Sequence, residues 1–235
     1  MAKELLGEVI GVALLVLLGN GVVAGVVLDK SKAKDAGWIV ITVGWGLAVA
    51  MAAFVSGLLG PAHLNPAVSI AMAYAGNLTW SSVLPYILAQ FIGAFIGSIL
   101  VYLSYKDHYD ITEDKGAILG SFATGPGIRN PLSNVITEAI GTFVLVLGLL
   151  AFSQYDMPVG LGTLVVGGLI VSLGVSLGGP TGYALNPARD LGPRIMHAIL
   201  PLKNKGDSDW GYALVPVVGP IIGGLLAAVF YTLVF

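Results

Sequence analysis

No cysteine occurs in this 235-residue sequence. Disulfides, thiolate metal sites and a cysteine nucleophile are therefore excluded. Charge is nearly as scarce. Eleven Lys/Arg and thirteen Asp/Glu make up 10% of the chain, against about 25% in an ordinary soluble domain. A soluble fold of this length needs a polar skin, and so few charges cannot supply one. The net charge of −2 leaves no electrostatic footprint for nucleic acid. Histidine is limited to His63, His108 and His197, scattered along the chain with no second metal ligand near His63 and no Ser/His/Asp constellation. Neither an enzyme nor a bound metal or cofactor is expected.

What the chain has in quantity is apolar length. Hydrophobic residues are 56% of it and its mean hydropathy is +0.90. Runs long enough to cross a bilayer recur at about 4–28, 38–58, 83–105, 132–152, 159–177 and 212–235, giving six expected spans. Trp38, Trp80, Tyr105, Tyr155, Trp210 and Tyr212 fall near their ends, where interfacial aromatics belong. Met1-Ala2-Lys3-Glu4 runs directly into the first apolar stretch, so a retained first helix and no signal peptide are expected. Thirty-three glycines suit a bundle whose helices approach closely in lipid. The polar stretch 106–130 reads as a connecting loop, with solvated charges around Lys106 to Lys115, between a first half (about 4–105) and a second (about 131–235), both within one membrane domain.

Two apolar segments do not fit six spans. Residues 66–76 and 187–200 follow the Gly/Pro-rich approaches 57–61 and 178–182. At about 1.5 Å per residue each reaches roughly halfway through the hydrocarbon core. Backbone of that kind is tolerated at membrane depth only inside protein or beside a wet cavity. The halves also correspond. Glu8-Val9-Ile10-Gly11 parallels Glu138-Ala139-Ile140-Gly141, and Asn65-Pro66-Ala67 parallels Asn186-Pro187-Ala188. Gln90-Phe91-Ile92-Gly93 lines up with Pro216-Val217-Val218-Gly219. Three spans and a half-helix, repeated, force the second half to be inverted relative to the first.

One Asn-Pro-Ala is an ordinary helix start, with Asn as cap and Pro at the first helical position. Two copies in an inverted repeat bring both half-helix N-termini to the midplane. Each carries about half an elementary positive charge, so together they oppose cations there. The Asn65 and Asn186 amides can donate to a passing oxygen, whose own hydrogens must then point outward, which interrupts a proton wire. Carbonyls of the approaches at Pro61, Ala62, His63 and Leu64, and at Tyr183, Ala184 and Leu185, are expected to form a ladder of acceptors opposite an apolar wall.

His63-Leu64-Asn65-Pro66-Ala67-Val68 and Gly182-Tyr183-Ala184-Leu185-Asn186-Pro187-Ala188-Arg189-Asp190, with the repeat around them, resemble the aquaporin and glycerol facilitator superfamily over nearly the whole chain. The resemblance implies an all-α membrane protein. Its six transmembrane helices and two re-entrant half-helices form one pore per protomer, in a homotetramer. One departure is Gly60-Pro61-Ala62-His63, where the family usually has Ser-Gly-Ala-His. Pro61 removes a backbone donor and fixes φ, but keeps its carbonyl.

The family's constriction maps onto Trp45, Gly174, Tyr183 and Arg189. Water-selective relatives usually have Phe and His in place of Trp45 and Gly174. Glycine there is expected to open the constriction, leaving Trp45 and Tyr183 as an aromatic corner facing a donor, Arg189. That slot, with Asp190 following the arginine, resembles the aquaglyceroporin branch and implies passive diffusion of glycerol. Tyr183 departs from the Phe frequent in that branch. It leaves open the ranking of glycerol against water, urea, dihydroxyacetone, small neutral acids such as lactic acid, and hydrogen peroxide.

Glu8 and Glu138 are acids in apolar spans. Singly they could carry protons in a coupled transporter; their symmetric placement instead suggests anchors for the re-entrant backbone. Asp190 is also assigned a supporting role. The short termini and the absence of cysteine suit a bacterial cell membrane. The resemblance puts both termini in the cytoplasm. The charge bias opposes this: Lys30, Lys32, Lys34, Lys106, Lys115, Arg129, Lys203 and Lys205 follow spans one, three and five, which by the positive-inside rule would place the termini outside.

Overall fold

A computed structural model describes residues 1–235. It is helical, with no strand. The first half holds α1 (Ala2–Val27), α2 (Trp38–Ser56), the short α3 (Pro66–Tyr74) and α4 (Trp80–Ser104). Two small helices follow, α5 (Lys106–Ile111) and α6 (Lys115–Gly120). The second half repeats the order long, long, short, long: α7 (Pro131–Phe152), α8 (Leu161–Leu177), α9 (Pro187–Ile199) and α10 (Val215–Val234).

Five helices, α1, α2, α4, α7 and α10, are long and apolar enough to cross a membrane, and α8 at 17 residues is slightly shorter. Their outward faces carry stripes no aqueous surface would keep. Leu84, Leu88, Ile92 and Ile96 of α4 are all exposed at intervals of four, a continuous apolar ridge of the kind that marks a lipid-facing surface.

The same device joins the helices in each half. On α4, a Cβ at Gly93 would strike the Val9 carbonyl of α1, and one at Gly97 would come within 2.7 Å of the Ala13 carbonyl. On α10, Gly219 stands in the same relation to Val135 of α7 (2.9 Å), and Gly223 to Ala139. Both pairs are spaced four apart, so two backbones meet where any side chain would hold them off.

The stretch 106–130 is more than a connecting loop. Its charged residues are exposed or half-buried, but Thr112 and Ser121 are buried, and Tyr109, Ile118 and Phe122 are fully buried in a cluster with Leu28, Tyr102, Met196 and Leu200. Asp114 caps α6, accepting from Gly116 N at 2.8 Å. Asn20 of α1 donates to the Phe122 carbonyl at 3.0 Å. The segment is therefore a packed cover over one end of the bundle. The physical reason is that each of its two short helices turns a single apolar side inward.

Candidate functional site

The two short helices begin in the middle of the molecule, and their caps define the site. Asn65 Oδ1 accepts from Ala67 N at 2.8 Å. Asn186 Oδ1 accepts from Ala188 N at 3.0 Å and Arg189 N at 3.1 Å. Pro66 and Pro187 occupy the first helical positions, where a missing N–H costs nothing. Each Asn then reaches across. Asn65 Nδ2 donates to the Leu185 carbonyl at 2.8 Å, and Asn186 Nδ2 donates to the Leu64 carbonyl at 2.7 Å. An amide nitrogen has two hydrogens, so each keeps one more for the cavity that both residues line.

The approaches to these caps are strained in matching places. Ala62 and Leu64 in one, Tyr183 and Leu185 in the other, have φ between 40° and 56°. Left-handed backbone costs a non-glycine residue about 1–2 kcal/mol, and it persists only where surroundings hold it. The buried carboxylates do the holding. Glu8 accepts from His63 N and Leu64 N, both at 2.7 Å, and from Gln90 Nε2 at 2.7 Å. Glu138 accepts from Ala184 N at 3.0 Å and Leu185 N at 2.8 Å.

These bonds also aim the carbonyls. In a planar trans peptide the N–H and the preceding C=O point in opposite directions. With the amides of His63 and Leu64 turned to Glu8, the carbonyls of Ala62 and His63 face the other way. With those of Ala184 and Leu185 turned to Glu138, the Tyr183 and Ala184 carbonyls do likewise. Ala62, His63, Tyr183 and Ala184 all line the cavity. Of the remaining expected acceptors, Leu64 and Leu185 give their carbonyls to the crossing asparagines, and Pro61 lies outside the lining. The opposite wall is aliphatic, formed by Leu15, Val49, Val68, Leu145, Val166 and Ile170.

At one end stand Trp45, Tyr183 and Arg189, all more than nine-tenths buried. The Arg189 guanidinium carbon sits 4.0 Å from the centre of the Trp45 ring, in cation–π range. Its Nη1 and the Tyr183 hydroxyl have no hydrogen-bond partner in the protein. The neighbouring Asp190 forms no ion pair with it. Asp190 Oδ1 pairs with Arg194, Nη2 at 2.8 Å and Nε at 3.0 Å. Its Oδ2 accepts from Thr124 N at 2.7 Å and Thr124 Oγ1 at 2.6 Å.

Gly174 is placed differently from the expectation of an opened constriction. It does not line the cavity. A Cβ there would lie 2.7 Å from Tyr183 Cζ and 2.7 Å from Thr42 Cγ2. The tyrosine ring occupies the room that glycine leaves, so Gly174 seats Tyr183. His63 lines the opposite approach, with Nδ1 3.2 Å from Ser69 Oγ and its ring 5.3 Å from that of Tyr86.

Sequence reasoning missed several supporting side chains: Gln90 beneath Glu8, Arg194 and Thr124 around Asp190, and Trp38 behind Tyr183. Gln90 and Arg194 carried a signal, as a polar amide and a second arginine within apolar surroundings. Trp38 was legible only through its spacing of seven from Trp45 on one face of α2.

Comparison with known proteins follows the same lines. The family described as "Major intrinsic protein" matches residues 1–231. The chain is similar to the glycerol uptake facilitator protein of Streptococcus pneumoniae strain R6, 63% identical over 233 residues, covering 99% of this chain and 100% of the relative. It is also similar to the glycerol uptake facilitator protein of Bacillus subtilis strain 168, 56% identical over 229 residues, covering 97% of this chain and 84% of the relative. Among solved structures, the aquaglyceroporin from Plasmodium falciparum superposes with a TM-score of 0.87 at 32% identity, covering 99% of this chain and 96% of that one.

Proposed function

The chain belongs to the major intrinsic protein family, and we propose that it is a passive membrane channel through which glycerol and similar small neutral solutes diffuse down their gradients. The observation that carries the mechanism is the meeting of two half-helix N-termini, each capped by an asparagine that keeps one amide hydrogen for the cavity.

The residues divide the work by chemistry. Asn65 and Asn186 donate to one solute oxygen at a time. Two helix N-termini of about +0.5 charge each repel a cation in the same place, and an oxygen held by two donors cannot pass a proton along the lane. The carbonyls of Ala62, His63, Tyr183 and Ala184 accept from hydroxyl hydrogens, while the aliphatic wall takes the carbon chain. A polyol matches both sides at once; an ion finds no partner in the aliphatic wall, and a cation also meets the positive helix ends.

Trp45, Tyr183 and Arg189 form the narrow entrance. Arg189 is free to donate there because Asp190 is committed to Arg194 and Thr124. Its charge adds to the barrier against cations. Gly174 contributes by seating the Tyr183 ring. Water is expected to accompany glycerol; urea, dihydroxyacetone, lactic acid and hydrogen peroxide are further candidates of suitable size. Glu8, Glu138 and Asp190 act as anchors: their oxygens are taken up by backbone amides and fixed side chains.

Residues 4–105 and 131–235 form the two inverted repeats of one channel domain. The family resemblance supports a homotetramer with both termini in the cytoplasm. The lysine distribution favours the reverse orientation, and protease protection of a terminal tag in intact cells decides between them. The function itself is tested by solute flux in proteoliposomes: glycerol entry well above that of bare lipid is expected. Accumulation against a gradient would instead indicate a coupled transporter using Glu8 or Glu138.

A further inference from the structure

Trp38 begins α2 and is partly exposed, so its sequence position suggests only an interfacial aromatic. Its contacts say more. The indole Nε1 donates to the Gly174 carbonyl at 2.9 Å, one of the carbonyls that the last turn of α8 leaves for an outside donor. Its ring stands edge-on to Tyr183, with centroids 5.8 Å apart and planes at 76°, a favoured aromatic arrangement. Gly178 closes the same pocket: a Cβ there would lie 2.6 Å from Tyr183 Cδ1 and 2.8 Å from Trp38 Cζ2. Tyr183 is thus held on one side by Gly174 and Gly178 and on another by Trp38. Trp38 itself does not line the cavity.

The geometry points to Trp38 as a positioning residue for the entrance: standing behind Tyr183, it sets how far that ring projects toward Arg189 and Trp45, and so the largest solute admitted. This inference rests on the channel function proposed above. The tyrosine backbone is already in the left-handed region, at φ 40°, and its hydroxyl makes no hydrogen bond within the protein. The ring's position therefore depends on packing. Removing the indole empties space on the side away from the cavity, and the ring can lean back into it. The entrance then widens, while the asparagine pair is untouched.

The test uses the full chain in proteoliposomes, with uptake of glycerol and of the four-carbon polyol erythritol measured at matched protein content. Trp38→Ala should raise the erythritol-to-glycerol permeability ratio by roughly three- to tenfold, the scale set by one aromatic pair. Trp38→Phe keeps a ring behind Tyr183 without the N–H, and should stay near the wild-type ratio. Where Trp38→Ala is not recovered in the membrane, Trp38→Leu replaces it, and the same direction of change is required. A ratio that is unchanged or lower in the aliphatic variant overturns the inference, since a merely structural role reduces both fluxes together. A Phe variant that behaves like the Ala variant also overturns it. A wild type that admits no glycerol ends the channel function itself; a wild type that admits glycerol, beside an aliphatic variant of unchanged ratio, ends only this inference.

Discussion

Asn65 and Asn186 are each hydrogen-bonded to the residue that precedes the other: Asn65 Nδ2 to the Leu185 carbonyl at 2.8 Å, Asn186 Nδ2 to the Leu64 carbonyl at 2.7 Å. The exchange locks both side chains through all their polar atoms except one hydrogen each. In the proposed channel, both amides are thereby fixed in place before any solute arrives.

Asn186→Asp tests the barrier. The carboxylate can still accept from Ala188 N and Arg189 N, so the cap survives. It cannot donate to the Leu64 carbonyl, and its charge cancels the positive field of two helix ends. Cation leakage is expected to rise well above the wild-type background while glycerol flux falls. A voltage- or pH-sensitive dye in loaded proteoliposomes reads the leak.

Gly174→Ala tests the seating of Tyr183. The added Cβ meets Tyr183 Cζ and Thr42 Cγ2, both at 2.7 Å, well inside van der Waals contact, and the ring is driven toward the cavity. Glycerol permeability should fall by about tenfold, the scale of a 1–2 kcal/mol overpacking penalty. The double variant Gly174→Ala/Tyr183→Ala should recover glycerol flux, because the ring that closes the entrance is gone.

Glu138→Gln tests the anchors. An amide has one acceptor oxygen where the carboxylate has two, so either Ala184 N or Leu185 N loses its partner. An unpaired buried donor costs about 1–3 kcal/mol. Lower thermal stability in detergent is expected, together with reduced glycerol flux because the Tyr183 and Ala184 carbonyls lose their aim. A proton-carrying role predicts a different result: intact stability with loss of pH-driven uptake.

Arg194→Met should be the most damaging of the single changes. Arg194 is fully buried and donates to Asp190, Thr124 O and Ser208 O. Its removal strands the Asp190 carboxylate, and breaking one partner of a buried pair costs about 3–5 kcal/mol. Little folded protein should be recovered, as judged by size-exclusion chromatography of the detergent extract.

Much of this was legible from the chain. Asparagine followed by proline marks a helix start by local chemistry alone, and two such starts after glycine-rich approaches locate the centre. Glu8 and Glu138 stand out because a charge in an apolar span demands partners. Other features were not legible, for reasons of packing. Glycine at 174 implied free space, but which side chain fills that space depends on Tyr183, folded back from another segment. The helices α5 and α6, six residues each, are too short for a periodic pattern to declare them. Trp38 satisfies the composition rule for an interfacial aromatic, and its spacing of seven from Trp45 puts it on that residue's face without saying what its indole touches.

The most direct test of the account is stopped-flow light scattering on proteoliposomes exposed to an inward glycerol gradient. The account predicts rapid shrinkage followed by rapid re-swelling as glycerol enters, at a rate proportional to the gradient and with no accompanying proton flux. Re-swelling no faster than in protein-free liposomes would contradict it.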